Sequence, residues 1–348
     1  MLRIVDANLN RIGEGLRLIE DITRFILNDS DISEQLKAMR HELLPKGRLA
    51  QRRLLSARRA DDDVGAFMDV GDEAERADAV SLVSANSRRV QQSLRVLEEV
   101  AKIRGQELGL DWDKFKHARF NLYTLEQKIV LRLLRLQKVE KIAGLYVIID
   151  AEALRGRSEV EVARQAIQGG ARMLQLRDKL RPKGMLVPLA RELQKVCSDS
   201  DALFIVNDYP DLAIAADTDG LHIGQEDLPL SVARNMLPAD KIIGCSSATL
   251  DEAIEAEKQG ADYIAVGSIF PTPSKTMTRV AGLKMLRQVK KNVSVPVVAI
   301  GGINEDNVAN VINAGADAVA VISAVLGADD VKKASGRLTA IINRGSAQ

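Results

Sequence analysis

Two patterns of apolar positions follow one another along the chain. From residue 1 to about residue 136, apolar residues recur at three- and four-residue steps, and no alternating segment is long enough for a strand. The last helix of this region is predicted over about 113–137. From residue 144 onward, short runs rich in β-branched residues alternate with helical stretches. The pattern predicts an all-helical domain over 1–138 and an α/β domain over 139–348, joined by the polar stretch Lys138-Val-Glu-Lys141.

Eight strands are predicted in the second domain, at 145–149, 173–175, 203–206, 220–223, 241–244, 263–266, 296–300 and 318–322. Helical stretches separate most of them, and Thr249-Leu-Asp-Glu252 has the pattern of a capping box that opens one such helix. Eight strands alternating with helices within about 200 residues favour a closed (β/α)8 barrel, the TIM barrel. An open doubly wound sheet is the alternative, although no strand is followed by the glycine fingerprint of a dinucleotide site.

The composition narrows the range of partners. The 348 residues include 46% hydrophobic but only 3% aromatic residues, and 49 Lys and Arg balance 48 Asp and Glu. The net charge of +1 and the few aromatic rings disfavour nucleic acid and an anionic membrane as partners, so an anionic ligand needs a local site. No apolar run reaches membrane-spanning length, and the acidic residues near the N-terminus do not fit a signal peptide. Cys197 and Cys245 are expected to be free buried thiols, which fits a reducing cytoplasm.

A segment near the N-terminus recurs without a gap further along the chain. Asp6-Ala-Asn-Leu-Asn-Arg-Ile-Gly-Glu-Gly-Leu-Arg-Leu-Ile-Glu-Asp21 aligns on Ser84-Ala-Asn-Ser-Arg-Arg-Val-Gln-Gln-Ser-Leu-Arg-Val-Leu-Glu-Glu99. The shared polar positions are Asn8, Arg11, Arg17 and Glu20 in the first copy and Asn86, Arg89, Arg95 and Glu98 in the second. One interpretation is a pseudo-symmetric bundle with the asparagines as caps and the Arg–Glu pairs as surface ion pairs. The other is a polar site where two equivalent helix starts meet and the four arginines hold phosphate.

A basic segment lies between the two copies. Residues 52–59 are rich in arginine and lead into Asp61-Asp-Asp-Val-Gly65. A charge run is usually a solvated helix face, which remains the expectation for the first half of this segment. Arg58, Arg59 and Asp63 are better candidates for a site, because a turn brings basic and acidic groups together where a metal-bound phosphate could sit.

Polar residues cluster where the predicted barrel strands end, and in such a barrel the chemistry lies at the carboxyl ends of the strands. Arg177 and Lys179 follow the second strand, beside the amide of Gln175. Two neighbouring strands end at Asp208 and Asp227. These carboxylates could share one Mg²⁺, a hard cation that takes one or two carboxylates plus phosphate oxygens and waters. Each aspartate alone could instead cap a helix.

Glycine-containing loops follow the sixth and seventh strands. Gly267-Ser-Ile-Phe-Pro-Thr-Pro-Ser-Lys275 offers backbone N–H groups, hydroxyls and one point charge to a phosphate, although a Pro-rich turn has the same composition. Gly301-Gly302 lets the backbone approach an anion, and with the end of the eighth strand it predicts a phosphate cradle. His222 lies within a strand pattern and is expected to be a packed histidine and not a base.

Nearly all of residues 1–135 resemble the hydroxymethylpyrimidine-phosphate kinase family found fused to thiamine-phosphate synthases. The resemblance rests on the two repeat copies, on Arg24-Phe25 and Arg40-His41, and on Asp63-Val-Gly65. It implies that this domain uses ATP to phosphorylate hydroxymethylpyrimidine phosphate. The residues alone do not predict a kinase, because the sequence has no Gly-rich loop ending in Lys-Ser or Lys-Thr. The alternative is a non-catalytic helical module that dimerises the barrel or positions substrate.

The stretch from about residue 143 to residue 326 resembles thiamine-phosphate synthase. The matching motifs are Gln175-Leu-Arg-Asp-Lys179, Asn207-Asp208, Gly220-Leu-His-Ile-Gly-Gln-Glu-Asp227, the loop 267–275 and Ala299-Ile-Gly-Gly-Ile303. The resemblance implies an enzyme that joins hydroxymethylpyrimidine diphosphate to thiazole phosphate, both small molecules, and releases pyrophosphate and thiamine phosphate.

The same resemblance implies a role for each site residue. Asp208 and Asp227 would bind Mg²⁺. The residues with a catalytic role would be Arg177, Lys179, Ser246 and Lys275. The pyrimidine diphosphate would be held by Gln175, Leu176, Arg177, Asp178, Lys179, Asn207, Ser246 and Lys275. The thiazole phosphate would be held by Thr272, Pro273, Ser274, Gly302, Ile322 and Ser323.

Two positions depart from the family pattern. Ser268 stands where the family often has Pro, and Ala248 stands where a His is common. Neither departure removes an expected metal or phosphate ligand. The rival for this domain is a barrel that isomerises a thiazole phosphate, and the retained aspartate pair and Lys275 argue against it. The sequence leaves the oligomeric state open, including a homo-oligomer.

Overall fold

The computed structural model describes residues 1–45, 47–58, 77–271 and 280–346. It divides into two compact units, Met1–Leu134 and Arg135–Gln348. Each unit buries an apolar core of its own. Among the helices of the described residues, none is long and apolar enough to cross a membrane. Both cysteines are buried and unpaired, which confirms the prediction of free thiols.

The described part of the first unit is helical, as the apolar periodicity predicts. Its helices are α1 (Leu2–Phe25), α2 (Ser30–Leu43), α3 (Arg48–Ala57), α4 (Ala79–Leu108) and α5 (Trp112–Glu140), the last of which continues into the second unit. Apolar residues on one face of α1 and α4, such as Ile12, Leu16 and Leu94, are fully buried. The two helices approach closely at Gly15, where an added Cβ would lie 2.5 Å from Val90 Cγ2. The repeated segments therefore form the centre of this core.

The repeated segments lie inside helices and not at helix starts. Because α1 begins at Leu2 and α4 at Ala79, Asn8 and Asn86 are interior positions. The interpretation of the two asparagines as caps is therefore wrong, and so is the picture of two helix starts that meet. Each amide nitrogen donates instead to the carbonyl oxygen four residues earlier, at 2.8 and 2.9 Å.

The second unit contains a closed barrel of eight parallel strands arranged in sequence order. The strands are β1 (Gly144–Asp150), β2 (Ala171–Arg177), β3 (Leu203–Asn207), β4 (Gly220–Ile223), β5 (Ile242–Ser247), β6 (Tyr263–Gly267), β7 (Val297–Ile300) and β8 (Ala318–Val321). β1 pairs with both β2 and β8, so the sheet has no edge and the open-sheet alternative is wrong. Each strand boundary lies within three residues of its prediction.

Helices follow the strands of the barrel. They are α6 (Glu159–Gln168), α7 (Lys183–Ser198), α8 (Pro210–Ala215), α9 (Leu230–Met236), α10 (Leu250–Lys258), α11 (Gly282–Asn292), α12 (Val308–Asn313), α13 (Ser323–Leu326) and α14 (Val331–Ser346). Alternation along each strand separates two cores. In β1, Leu145 and Val147 belong to the large core shared with the helices, whereas Tyr146 and Ile148 belong to a smaller core inside the barrel.

Two local predictions differ in detail from the structure. Thr249 caps α10 as predicted, since its hydroxyl accepts the N–H of Glu252 at 3.3 Å. Glu252 does not close the box on Thr249, because its carboxylate accepts the N–H of Ala248 at 2.6 Å. The predicted polar joint after residue 137 is largely helical: α5 runs to Glu140, and Lys138 is paired with Asp240 at 3.0 Å.

Candidate active site

Three charged side chains come together where β2, β3 and β4 end. Lys179 Nζ lies 2.8 Å from Asp208 Oδ2, and the carboxylate of Asp227 is close enough to raise the pKa of Asp208. Asp208 has a left-handed backbone with φ at +63°, and its N–H donates to the His222 carbonyl oxygen at 2.8 Å. A non-glycine residue in this conformation costs on the order of 1 kcal/mol, and such strain is concentrated at functional sites. The backbone is thus locally strained at the residue that carries this carboxylate at the barrel mouth.

Within the described residues, Lys179 is the one cationic side chain that forms an ion pair with these two aspartates. Burial raises the pKa of Asp208 above its ordinary value, and the neighbouring carboxylate of Asp227 raises it further, whereas Lys179 opposes the shift. Two carboxylates with one lysine carry an excess of negative charge when both are ionised. A cation between them would relieve this repulsion.

Neither aspartate caps a helix. The N-cap residue of α8 is Tyr209 and that of α9 is Pro229, so the capping alternative is wrong for both. Asp227 instead holds the turn after β4, where its Oδ2 accepts the N–H of Gly224 at 2.7 Å. Its other oxygen takes no part in that hydrogen bond, so one oxygen alone fixes the carboxylate in the turn.

The segment from Gln175 to Lys179 presents only alternate side chains to the mouth. Leu176 is buried in the core between barrel and helices. The carboxylate of Asp178 accepts the N–H groups of residues 180 and 181 at 2.8 and 3.0 Å and pairs with Arg181, so it organises the loop. Arg177 pairs with Asp150 at the end of β1 and remains one-third exposed. Alternation along the strand therefore places the Gln175 amide inside the barrel and leaves the Arg177 guanidinium and the Lys179 ammonium group partly exposed.

A cavity of about 570 Å³ opens at this mouth. The predicted site residues that line it are Lys179, Asp227, Ser246, Gly302, Ile322 and Ser323. Asn207 is buried at the end of β3. The predicted ligands Thr272, Pro273, Ser274 and Lys275 lie outside the described residues. The described strand ends thus bring six of the predicted residues together at one opening.

The two glycines after β7 are required by a close approach of two loops. Gly301 and Gly302 have φ of +102° and +66°, and added Cβ atoms would lie 2.2 Å from Ser268 Oγ and 2.7 Å from the Pro271 carbonyl oxygen. Ser268, which stands where the family often has Pro, donates from its hydroxyl to the carbonyl oxygen of Phe270 at 2.6 Å. The serine therefore closes the turn with a side-chain hydrogen bond.

Five polar side chains form a continuous row of hydrogen bonds inside the barrel, which we call the interior row. Gln175 Nε2 donates to Tyr146 Oη at 2.6 Å, and Tyr146 Oη lies 3.2 Å from Tyr263 Oη. Tyr263 Oη lies 3.1 Å from His222 Nδ1, and His222 Nε2 lies 2.9 Å from Ser246 Oγ. His222 is buried and stacked on Tyr263, as expected for a packed histidine, but its ring nitrogens connect the row to the cavity. Sequence reasoning missed the two tyrosines, although both fall on inward-facing strand positions.

The repeated Arg–Glu pairs of the helical unit have buried carboxylates and are not ordinary surface ion pairs. Glu20 accepts from Arg17 at 3.4 Å and from Arg40 on α2 at 2.9 Å. Glu98 accepts from Arg95 at 2.6 Å and from Arg119 on α5 at 3.0 Å, with Lys102 as a third donor. Burial acts to raise the pKa of Glu98, but the hydrogen bonds from Lys102, Arg119 and Arg95 outweigh it and lower the pKa to about 2. Each copy of the repeat thus holds a buried glutamate that accepts from at least two cationic side chains.

The equivalence of the two copies extends to the helix that follows each of them. Lys37-Ala-Met-Arg40 and Lys116-His-Ala-Arg119 occupy matching places on α2 and α5, and each arginine reaches the buried glutamate of its own copy. Sequence reasoning missed this match because the spacing shifts by one residue. The repeated unit is therefore a helix and the first part of its successor.

The remaining candidate site residues of the helical unit are exposed, paired with a carboxylate, or outside the described residues. Arg11 and Arg89 are exposed on α1 and α4. Arg58 forms two hydrogen bonds with Asp6, at 2.8 and 2.9 Å, so its guanidinium is engaged by a buried carboxylate. Arg59 and Asp63 lie outside the described residues. Across 1–45, 47–58, 77–271 and 280–346, no group of three or more His, Cys, Asp or Glu side chains could hold a metal ion.

A closed (β/α)8 barrel with acidic and basic groups around the carboxyl ends of its strands defines the class of TIM-barrel enzymes. The family model described as thiamine monophosphate synthase matches residues 145–325, and the model described as the ThiD2 family matches residues 3–128. The thiamine-phosphate synthase of Synechocystis sp. is 38% identical over 342 residues, which cover 98% of this chain and 96% of that protein. The chain belongs to the thiamine-phosphate synthase family and is a transferase with an N-terminal ThiD2 domain.

Other relatives match the barrel alone. The thiamine-phosphate synthase of Moorella thermoacetica is 51% identical over 201 residues, which cover 58% of this chain and 96% of that protein. The solved structure of thiamine phosphate pyrophosphorylase from Pyrococcus furiosus is 45% identical, with a TM-score of 0.56, and covers 60% of this chain and 98% of that one. The barrel therefore occurs in these relatives without the helical unit.

Proposed function

We propose that the barrel joins hydroxymethylpyrimidine diphosphate to thiazole phosphate and releases thiamine phosphate and pyrophosphate. The observation that carries this proposal is the charged group at the ends of β2, β3 and β4, where Lys179 lies 2.8 Å from Asp208 and the carboxylate of Asp227 is a close neighbour. Neighbouring acidic and basic groups at a mouth of about 570 Å³ suit a metal-bound diphosphate. The names of the relatives support the same reaction.

The aspartate pair fits Mg²⁺ as a cofactor. Mg²⁺ usually keeps several waters and takes one or two carboxylates together with phosphate oxygens, so it does not need a cluster of three protein ligands. Asp208 and Asp227 would hold it, and their mutual repulsion, seen in the raised pKa of Asp208, favours a cation there. When bound, Mg²⁺ would neutralise negative charge on the diphosphate as it departs.

Cationic side chains of the protein would also neutralise negative charge on the departing diphosphate. Arg177 and Lys179 would bind diphosphate oxygens, and Lys275, on the loop after β6, would join them. The electron-rich aminopyrimidine stabilises the cationic methylene that remains when the carbon–oxygen bond breaks, and the thiazole nitrogen then attacks that carbon. No enzyme nucleophile is needed, so the site requires charge and orientation and no catalytic triad.

The two substrates would take different walls of the cavity. Gln175, Asn207 and Ser246 would hold the pyrimidine ring and its substituents. The thiazole phosphate would bind where the backbone of Gly302 and the residues Ile322 and Ser323 face the opening. Thr272, Pro273 and Ser274 would complete that side. In this arrangement the thiazole nitrogen would lie opposite the departing diphosphate.

We propose further that the helical unit phosphorylates hydroxymethylpyrimidine phosphate with ATP, so that one chain carries two consecutive steps. The match to the ThiD2 family and the repeated arginines support this proposal. Arg17 and Arg95 are half exposed even though each bonds to a buried glutamate, and Arg11 and Arg89 are exposed. These four arginines are the candidates for phosphate contacts, with Arg58, Arg59, Asp63 and the two asparagines Asn8 and Asn86.

A second candidate role for the helical unit is a non-catalytic module that assembles the barrels or positions substrate. This role is favoured by the ion pairs that Glu20 and Glu98 form with arginines of the same unit, because these pairs make the repeated charges part of its core. For the barrel, the rival is isomerisation of a thiazole phosphate, which would need no diphosphate site. The aspartate pair beside Lys179 argues against that rival.

Two parallel reactions test both proposals. One contains the full chain, hydroxymethylpyrimidine phosphate, thiazole phosphate, ATP and Mg²⁺, and the other contains the pyrimidine diphosphate in place of the monophosphate and ATP. We expect thiamine phosphate in both. Product from the diphosphate alone would leave the helical unit as a binding or assembly module, and product from neither would contradict the proposed reaction.

A further inference from the structure

The interior row connects two residues that we assign to the proposed pyrimidine site. Gln175 stands at one end on β2 and Ser246 at the other end on β5, with Tyr146, Tyr263 and His222 between them. The three middle residues are buried, so their hydrogen bonds cannot be replaced by bulk water. A buried hydroxyl or ring nitrogen without a partner is costly, and the row must therefore assign each proton to one bond.

The direction of these bonds follows from a count of protons. Burial raises the pKa of both Tyr146 and Tyr263, so each phenol keeps its single proton. Gln175 Nε2 donates to Tyr146 Oη, and within the described part of the chain the next neighbour of Tyr146 Oη is Tyr263 Oη. Tyr146 therefore donates to Tyr263, and Tyr263 donates to His222 Nδ1.

The tautomer of His222 then follows. Since Nδ1 accepts a proton from Tyr263, the neutral imidazole carries its own proton on Nε2 and donates it to Ser246 Oγ at 2.9 Å. A doubly protonated ring would leave the proton of Tyr263 without an acceptor in the row. The hydroxyl proton of Ser246 is consequently not used within the row and is directed to the cavity that Ser246 lines.

Packing holds the row in this geometry. The ring of Tyr263 stacks on His222 with an interplanar angle of 22° and meets Tyr146 edge to face. It fills the space beside Gly244, where an added Cβ would lie 1.9 Å from Tyr263 Cζ. The absence of a side chain on Gly244 thus gives Tyr263 the room to reach both neighbours.

We propose that the interior row fixes the hydrogen-bond polarity of the pyrimidine site, with Ser246 as a donor and the Gln175 carbonyl oxygen as an acceptor. This inference rests on the proposed synthase function. Tyr146, Tyr263 and His222 are positioning residues that act through these two ends. An aminopyrimidine offers acceptor ring nitrogens and a donor amino group, which complement such ends. The 4-oxo analogue offers a ring N–H and a carbonyl oxygen, so it fits only if every proton of the row reverses.

The first test is the tautomer of His222 in the full chain labelled with ¹⁵N-histidine. The sequence has three histidines, so three imidazole signals are expected, and a His222→Gln variant assigns one of them. We expect the His222 signal to show a proton on Nε2 and none on Nδ1, both in the free protein and after addition of the pyrimidine diphosphate. A proton on Nδ1, alone or together with one on Nε2, would overturn the proposal.

Two matched variants separate polarity from packing. Tyr263→Phe removes the donor to His222 Nδ1, whereas Tyr146→Phe removes a phenol of the same size and leaves that donor in place. We expect only Tyr263→Phe to mix the tautomers of His222. Each variant frees one end of the row, so both should reduce discrimination against the 4-oxo diphosphate by about tenfold, through KM for the aminopyrimidine and not through kcat. Equal effects of both variants on the tautomer would contradict the proposal. Circular dichroism of both variants shows whether the fold is retained.

The outcomes also separate this inference from the proposed function. If the wild-type protein makes thiamine phosphate but His222 carries its proton on Nδ1, the polarity is wrong and the synthase function stands. If His222 carries its proton on Nε2 and no thiamine phosphate forms from the diphosphate, the polarity stands and its assignment to an aminopyrimidine is overturned.

Discussion

The two units of this protein use charged residues in opposite ways. At the barrel mouth, the carboxylates of Asp208 and Asp227 are close neighbours, and within the described residues Lys179 is the cationic side chain paired with them. In the helical unit, Glu20 and Glu98 are also buried, but each accepts from at least two cationic side chains. A carboxylate pair that lacks compensation is suited to bind a cation and an anionic substrate, whereas a compensated carboxylate stabilises a fold.

The geometry of the elements explains this difference. Strand ends in a parallel barrel converge on one opening, so charges that are distant in sequence meet there and remain accessible. Residues on a helix meet neighbours three or four positions away and residues of the packed helix, so a buried glutamate finds arginines on both. The same residue types therefore predict a site in one unit and an internal network in the other.

The largest expected effect comes from removing charge at the mouth. Asp208→Asn should lower turnover of the pyrimidine diphosphate by about 1,000-fold, because the cation that neutralises the leaving group loses a ligand. Asp211→Asn, an exposed aspartate on α8 that pairs with Lys183, is the matched control and should keep normal turnover. The measurement is thiamine phosphate formed per minute at saturating substrates. Less than a tenfold loss in Asp208→Asn would contradict the metal assignment.

A smaller loss is expected for the lysine beside the aspartates. Lys179→Ala should reduce turnover by about 100-fold, since one of several cations that bind the diphosphate is removed. Lys183→Ala removes an equally exposed lysine nearby on α7 and should change turnover little. Steady-state assays of both variants decide the matter, and similar rates for the two would show that Lys179 does not contact the leaving group.

In the helical unit the expected effect is on stability. Glu98→Gln should destabilise this unit by about 2 kcal/mol, because the buried acceptor of three cationic side chains loses its charge. Glu99→Gln changes an exposed neighbour and should cost at most about 0.5 kcal/mol. Trp112 is the single tryptophan of the sequence and lies at the start of α5, so its fluorescence in urea reports this unit. Equal midpoints for the two variants would refute the network.

The stabilising effect of Glu98 should also depend on pH. Burial alone would raise the pKa of Glu98, but its hydrogen bonds to Lys102, Arg119 and Arg95 lower it to about 2 from the ordinary 4.5. Because the folded pKa lies below the unfolded one, the contribution is complete above pH 4.5 and is lost as the pH falls towards 2. The difference in urea midpoint between wild type and Glu98→Gln should shrink in that window. A constant difference down to the lowest pH would be inconsistent with the shifted pKa.

The smallest expected effect concerns the packing of the two repeat helices. Gly15→Ala places a Cβ 2.5 Å from the branched side chain of Val90, whereas Gly13→Ala meets the flexible end of Leu44 at 3.2 Å. Both changes gain helix propensity, so their difference isolates the contact. Gly15→Ala should be less stable than Gly13→Ala by about 1 kcal/mol. The Trp112 transition measures this difference, and the opposite order would show that α1 and α4 tolerate a wider separation.

Much of the barrel follows from the sequence alone. The period of the apolar residues predicts eight strands, and the polar residues that follow them predict where the charges meet. The same periodicity does not reveal the interior row, because Tyr146 and Tyr263 lie on different strands that only the closed register brings together. It also does not show that the Asp178 carboxylate accepts N–H groups of its own loop, since this depends on the turn that residues 180 and 181 adopt.

The helical unit shows the opposite limit of sequence reasoning. The internal repeat is visible in the sequence, and the structure shows that it extends to Arg40 and Arg119. Its role is not visible, because a repeated arginine can bind phosphate or compensate a buried glutamate with the same local pattern. The start of each helix is also not evident, so the sequence allows Asn8 and Asn86 to be interpreted as caps although they lie in helix interiors.

The most direct test of the central claim is the stoichiometry of the barrel reaction without ATP. The full chain is mixed with the pyrimidine diphosphate, thiazole phosphate and Mg²⁺, and both thiamine phosphate and pyrophosphate are quantified over time. We expect one pyrophosphate for each thiamine phosphate and loss of both products when EDTA removes the metal. Equal product formation in EDTA, or pyrophosphate without thiamine phosphate, would contradict a metal-assisted synthase site at the ends of β2, β3 and β4.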